Sequence, residues 1–469
     1  MIYQFDVVIV GSGPSGIHAA YPLVKAGLKV AIIDGGLDSK KQDPKLNNFL
    51  YSSFRETSNA YNLIKKSSYV FNKTYQLLKI KSDIEIIQTL AKGGLSEYWH
   101  GICDFFSNEE LAKIGLPPKE IQKEYKEISK IIKLKSNADL DLFSTTLLES
   151  VKDKPQTENK LYQVSLTHPY RTGSKIEEFK KFKNFTYIPN QLVTIVKDKK
   201  SHVEIESCSI DKSNQLSTNT KYLILAAGSI NTTRILLRSL KLYNYKTTFL
   251  TKAHFLTACL YPKVIFKKKF FNKLGPGQLV ISSRNHHALS AFFIQLYRFN
   301  PQAIDKALQH IPLPKVLSSR LLSKIAHTLI IADTRFPSSE SENKYCKLIK
   351  EGREDILEIG FKESDKEKKD HENQFRKITT YLKSLQLFPL RTVKDYTTSH
   401  YAGGVPYQQK SGRISVDMKG KLHQANRIYI ADSSSWRVLP SKPPTLTIMA
   451  NAARIGKIVL GVVLKKQNK

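Results

Sequence analysis

The sequence predicts an α/β fold in two parts: a doubly wound, Rossmann-like domain and a second, mixed α+β domain. Three observations predict it. "FDVVIVGSGPSGIHAAYPLVKAGLKVAIID" (Phe5 to Asp34) runs strand, glycine turn, helix, strand. "KYLILAAGSINTTRILL" repeats a buried strand feeding a helix, about two hundred residues later. "NRIYIADSSSW", with the apolar segment "PPTLTIMANAARIGKIV", closes the chain in the same way. Continuous apolar strands alternating with helices belong to parallel sheets covered on both faces.

The first element binds a dinucleotide. Phe5 to Val10 is a short apolar strand, and Gly11, Gly13 and Gly16 follow it in the GxGxxG pattern. Gly11 permits the tight turn, Gly13 lets a pyrophosphate approach the backbone, and Gly16 lets helix and strand pack closely. Pro14 and Ser15 lie at the helix start, where unpaired N–H groups and the positive end of the helix dipole suit phosphate. The second strand, Leu28 to Ile33, ends at Asp34, eighteen residues after Gly16. A carboxylate there suits a ribose 2′-hydroxyl and disfavours a 2′-phosphate. The motif by itself leaves FAD and NAD both open.

Helical segments are expected from about 56 to 90. Next comes "AKGGLSEYWHG", in which Gly93 and Gly94 allow close backbone approach to a flat or charged ligand. Ser96, Tyr98 and Trp99 add polar and aromatic contacts, with His100 beside them. A surface loop packed by its own aromatics is the plainer reading of that stretch. Residues 103–185 read as a lysine-rich, partly helical insertion, with His168, Tyr170 and Arg171 in a loop. Paired strands follow and contain Val193; a buried strand, Leu223 to Ala226, is then broken at Gly228 before a helix near Thr232, returning the chain to the nucleotide. Val193, Ala227 and Gly228 complete the middle set of candidate cofactor contacts. The domain boundaries expected are 1–251 for the nucleotide domain, 252–395 for a substrate domain and 396–469 for the return.

Near the C-terminus, "TTSHYAGGVPY" presents His400 and Tyr401. Asp432 closes a short strand, where an acid can meet a ribityl hydroxyl or the diphosphate edge. Pro444 suits the first turn of the last helix because its missing N–H would be unpaired anyway. Thr445 and Leu446 follow it, and that helix N-terminus favours negative charge nearby.

Lys+Arg 74 against Asp+Glu 41 gives a formal charge of +33. The lysines are scattered, and no zinc finger, basic zipper or arginine-rich arm occurs, which argues against nucleic-acid binding. One stretch, Lys263 and Lys267 to Lys273 around Phe270 and Phe271, has two readings. It is either a solvated edge hairpin or peripheral contact with an anionic membrane. The four cysteines, Cys103, Cys208, Cys259 and Cys346, have neither CxxC nor metal spacing. A reducing, cytoplasmic location is expected, with attachment to the inner membrane face as an option. The chain opens directly on a strand, so no signal peptide is read, and no spanning helix is expected either.

Four blocks carry a resemblance: the GxGxxG with Asp34, "GGLSEYW", "LILAAGSINTTRILL" and "NRIYIADSSSW" continuing into "PPTLTIMANAARIG". Together they resemble the glucose-methanol-choline (GMC) oxidoreductase family, nearest its sugar- and sterol-oxidising branches. That resemblance implies an FAD-dependent oxidoreductase taking hydride from a carbinol carbon to flavin N5. It implies His400 as base, on a hydroxylated substrate such as a sugar or sugar-linked lipid. Oxygen, a quinone or a protein would accept the electrons. Pro443 falls where that family places a histidine or asparagine. Either His400 acts alone, or a neighbour such as Tyr401, Tyr407 or His100 assists, or alcohol oxidation has been lost and the protein has a non-redox or structural role. Tyr98 falls where some relatives link FAD covalently through histidine, so non-covalent FAD is expected. An enzyme built on NAD alone is the less favoured reading.

Overall fold

The structure is a computed structural model that describes residues 4–37, 77–97, 99, 101–136, 140–152, 158–167, 170–264, 277–283, 291–298, 328–352, 354–395 and 397–467. Tyr98, His100, His168 and the lysine cluster at 267–273 lie outside the described residues.

The seven-stranded sheet is built around the first strand. Phe5–Val10 pairs in parallel with Val30–Ile33 on one side and with Gln215–Leu225 on the other. Phe185–Ile188 extends it beyond Val30–Ile33. The long strand Gln215–Leu225 serves two partners on one edge. Its first half pairs antiparallel with Val203–Cys208, and its last three residues pair in parallel with Ile428–Ile430. The α/β class expected from the alternation of buried strands and helices is what the chain adopts.

Strand alternation divides the core in two. Val7, Ile9, Tyr222, Ile224 and Tyr429 face the helices Pro14–Lys25 and Thr445–Gln467. Val8, Val10, Leu223, Leu225, Ile428 and Ile430 face the opposite side, under the helix Ser229–Ser239. Each fully buried Val or Ile contributes about 1.5–3 kcal/mol, so the central strands anchor the domain. The two helices on the first face touch backbone to backbone: a Cβ on Gly456 would lie 2.3 Å from the Ala19 carbonyl oxygen.

The last helix departs from one expectation. Its Thr445–Lys466 portion is long and apolar enough to cross a membrane by length and composition. Arg454 and Lys457 interrupt its apolar run, which hides that length in the sequence. Some 67% of the stretch is buried inside the protein, against Pro14–Lys25 and Pro118–Ile131.

A second, six-stranded sheet is antiparallel, in the order Phe388–Asp395, His254–Leu260, Leu329–Arg335, Phe293–Arg298, Leu279–Ser283, Asn159–Gln163. One face is apolar. Cys259, Leu279, Ile281, Ile294, Ile330 and Ala332 pack there with Phe143 and Leu147 of Leu142–Glu149 and with Ile378 and Leu382 of Asp365–Ser384. The last of these helices starts with a reciprocal cap between Ser364 and Glu367. On the other face, pairing puts His254 opposite both Arg335 and Asp395, and Asp333 opposite Gln295.

The sheets cut across the boundaries read from sequence. Leu142–Glu149 and Asn159–Gln163, expected in an insertion of the nucleotide domain, complete the second sheet and its core. Conversely, the hairpin Lys344–Glu351/Glu354–Phe361 buries Cys346, Leu348, Leu357 and Ile359 in the first domain's core. Arg234 and Arg238 fix that hairpin through Asp355 at 3.2 and 2.5 Å. The helices expected to reach residue 90 are replaced at their end by the short strands Ile80–Ser82 and Glu85–Ile86.

Candidate functional site

The glycine turn forms one wall of a cradle. Gly11 has φ +102°, and a Cβ there would strike the Ala226 carbonyl oxygen at 2.5 Å; on Gly16 it would strike the Gly11 carbonyl oxygen at 1.9 Å. These two glycines are demanded by the protein itself. Gly13 is different: a Cβ there meets only the Gly93 carbonyl oxygen, at 3.9 Å. Gly94 approaches from the far side, where its Cβ would sit 3.2 Å from Gly13 Cα. The helix that follows has Pro14 in its first turn and no acidic residue there. Gly228, with φ +81°, has nothing within 4 Å of its Cβ position. Open glycines facing a helix N-terminus without negative charge fit a pyrophosphate.

Asp34 ends the second strand beside this turn. Its carboxylate accepts from the Ser12 hydroxyl, and from the Tyr187 hydroxyl at 3.1 Å. Burial pushes its pKa up to about 6 against the opposing pull of those bonds. Asn190 and Gln191 donate backbone N–H groups to the Gly35 and Asp34 carbonyls, which sets Val193 at the same end of the sheet.

Ser12 was not among the residues singled out from sequence, yet it is the hub. It donates to Asp34 and accepts from the Gly93 N–H at 2.8 Å. A clamp from residues 170–173 holds the second glycine loop. The Thr172 hydroxyl reaches the Gly93 carbonyl at 2.9 Å and Ser96 Oγ at 2.8 Å, and Arg171 donates to the Trp99 carbonyl at 2.8 Å. The Trp99 indole N–H donates to the Tyr170 carbonyl at 2.8 Å. Ser96 is 2% exposed, and its hydroxyl donates to the Gly93 carbonyl at 2.7 Å, so it shapes the loop from inside.

Asp432 works in the same indirect way. It is buried, and its carboxylate accepts from the Gly228 N–H at 2.9 Å, the Thr232 hydroxyl at 2.6 Å and the Ser434 N–H at 3.0 Å. It fastens the Ala227–Gly228 turn to the end of the Ile428–Ile430 strand. Thr447 of the final helix bonds Tyr125 at 2.6 Å, and Leu446 is fully buried. Pro444 gives its carbonyl to the Ile448 N–H at 2.9 Å and so opens the helix, with Thr445 at its first position.

The C-terminal candidates meet the polar face of the second sheet. Tyr401 is 9% exposed, its hydroxyl accepts from the Ile87 N–H at 2.7 Å, and its ring packs on Phe249. Tyr407 is buried, and its hydroxyl accepts from Asn451 at 3.3 Å. His400 faces a residue that sequence reading passed over. Lys252 is 5% exposed, and its Nζ lies 3.3 Å from His400 Nδ1. The same Nζ donates to the carbonyls of Ser441 at 3.0 Å and Lys442 at 2.6 Å, bracing the turn before the buried Pro443. Beyond it, Arg335 donates to Asp333 at 2.8 Å, and His254 sits 2.7 Å from Asp333. Burial first, then the positive charges of Lys252, Arg335 and His254, hold the His400 imidazole well below its ordinary pKa.

The strand–turn–helix with its glycine cradle, acid and second glycine loop defines a dinucleotide-binding protein. The sequence matches the family model described as pyridine nucleotide-disulphide oxidoreductase over residues 5–266, more than half of the chain, and the chain belongs to that family. No curated protein matches it.

This match overturns the GMC assignment, and with it carbinol-to-flavin oxidation of sugars or sugar-linked lipids and the GMC-like non-redox alternative. The blocks that carried that resemblance are mostly cradle pieces, and a cradle reports the nucleotide it holds more than the reaction run beside it. The base role for His400 has a physical objection too: an imidazole so depressed by burial and by its cationic neighbours is a weak proton acceptor.

Proposed function

We propose that this FAD-dependent oxidoreductase holds its flavin non-covalently, exchanges hydride with a pyridine nucleotide, and uses no thiol–disulfide step of its own. Bound FAD would supply the hydride-carrying isoalloxazine. The Gly13 and Gly93–Gly94 backbones and the first helix N-terminus would hold its pyrophosphate, and Asp34 would accept from a ribose hydroxyl. The clamp of Ser12, Thr172 and Arg171 keeps both loops in place and dry.

The observation that favours a thiol-free path is the state of the cysteines. All four are unpaired, and three are buried. Burial raises the Cys103 thiol and pushes those of Cys259 and Cys346 up to about 12, so none of these three is thiolate near neutrality. Nucleophilic thiol exchange needs the thiolate.

Anaerobic titration of the holoprotein with NADH and with NADPH tests the reading. Bleaching of the flavin band by at least one nucleotide is expected, at an unchanged rate in a variant with all four cysteines replaced by serine. Acid should release FAD from the denatured chain. A flavin that dithionite bleaches and neither nucleotide does would sink the hydride partner. A folded cysteine-free variant slowed tenfold or more would sink the thiol-free path.

A further inference from the structure

Lys252 lies in the middle of the chain and His400 near its end, yet the two meet beneath the Ser441–Pro444 turn. Thr251 precedes Lys252 in a short strand paired with Tyr401–Ala402, and the Thr251 hydroxyl donates to the His400 carbonyl at 3.0 Å. That pairing fixes both backbones, so the approach of the two side chains is built into the fold.

The contacts of Lys252 have a definite polarity. Carbonyl oxygens only accept, so the bonds to the Ser441 and Lys442 carbonyls use two N–H groups of Nζ. An ammonium has a third N–H to give to His400 Nδ1. A neutral amine would have only its lone pair left there and would need a proton on Nδ1. The 2.6 Å bond to Lys442 is short for a neutral donor and in keeping with a charged one. Burial pulls both groups well below their ordinary pKa, but lysine is intrinsically the stronger base by about 4 pH units and its Nζ has two carbonyl acceptors already in place, so a single shared proton rests on Lys252.

We infer that Lys252 is a positioning residue that locks His400 as the neutral tautomer protonated at Nε2. His400 then presents a hydrogen-bond donor, Nε2–H, on the ring edge away from Lys252. Arg335, on the neighbouring sheet face, is likewise a donor only. The group that meets this wall is therefore an acceptor: a carbonyl or anionic oxygen of the substrate. The substrate class rests on the flavin reading above, whereas the tautomer does not.

The test uses the holoprotein labelled with ¹⁵N-histidine, with the His400 ring signals identified by their loss in His400→Gln. No turnover is involved, so failure of the hydride reading leaves this measurement intact. The wild type should show a bare Nδ1 and a protonated Nε2 at His400. Lys252→Met should shift these signals toward the other tautomer or a mixture, with flavin absorbance confirming the fold. A proton on Nδ1 in the wild type, or unchanged ring signals in folded K252M, overturns the inference. If K252M does not fold, Lys252→Arg replaces it: retention of the Nε2–H signature supports the assignment and its loss overturns it. For the substrate class, wild-type Nε2–H should shift on addition of acetate at concentrations that shift no other histidine. No acetate-induced shift at His400 overturns the acceptor assignment alone.

Discussion

At the scale of single residues, the two glycines of one motif answer to different partners. Gly16 is required by the Gly11 carbonyl 1.9 Å from its Cβ position, whereas the Cβ position of Gly13 meets only the Gly93 carbonyl oxygen, at 3.9 Å. Gly16→Ala should therefore unfold or severely destabilise the domain, because the clash is with backbone. Gly13→Ala should fold normally and lose FAD, seen as an unchanged melting curve with no flavin absorbance after purification. If G13A retained flavin at wild-type stoichiometry, the cradle would lie elsewhere. Asp34 gives a pH signature. Its free-state pKa near 6 is raised, so its own contribution to the stability of the flavin-free fold is full below about 3.8 and lost as pH rises through about 6. Flavin binding should run the opposite way, because the ribose hydroxyl proposed to meet Asp34 would bond the charged form. FAD retention should weaken as pH falls through 6, and Asp34→Asn should flatten that dependence. A hydrogen bond to a charged group is worth about 1.5–3 kcal/mol, so D34N should raise the Kd about 10- to 100-fold at pH 8. Equilibrium dialysis across pH 5–8 measures both effects.

At the scale of elements, the last helix is the piece whose sequence points two ways. Its apolar length suits a membrane, and its small residues suit close packing. Gly456 is the decisive position, since Ala19 leaves no room for a side chain. Gly456→Val should cost about 1–3 kcal/mol or more through overpacking, read as a lower urea midpoint with FAD still bound at low urea. An unchanged midpoint would mean that the two helices are not in backbone contact. The six-stranded sheet shows the complementary lesson. Its pairing puts His254, Asp333 and Arg335 on one face and Ile330 and Ala332 on the other, so one two-residue period supplies both a core and a polar wall.

At the scale of the whole molecule, the thiols report the packing. Three of the four cysteines are buried, Cys103 and Cys346 in the core of the first domain and Cys259 in that of the second, while Cys208 is only half-buried on the Val203–Cys208 strand. Titration of the native protein with an aromatic disulfide reagent should find one fast thiol, lost in Cys208→Ser, and three that react only on unfolding. Two or more fast native thiols would contradict the packing of these cores, and a mutually protecting pair would revive an internal dithiol.

Local patterns determined much of this protein by themselves. The nucleotide motif was legible because strand, glycine turn, helix and acid lie within thirty-odd contiguous residues, each constrained by contacts with the next. The same holds for the strand-to-helix return at Ala227–Gly228 and for the proline start of the last helix. The tertiary structure alone decided the rest. Ser12 and Thr172 look like any hydroxyls until the fold brings two glycine loops together across them. Lys252 was invisible because the chain carries 74 lysines and arginines, and only long-range pairing buries this one against His400. Reaction chemistry was misread for the same reason: contiguous motifs record how a nucleotide is held, whereas the residues that meet around His400 come from strands far apart in sequence, and only packing sets their charge.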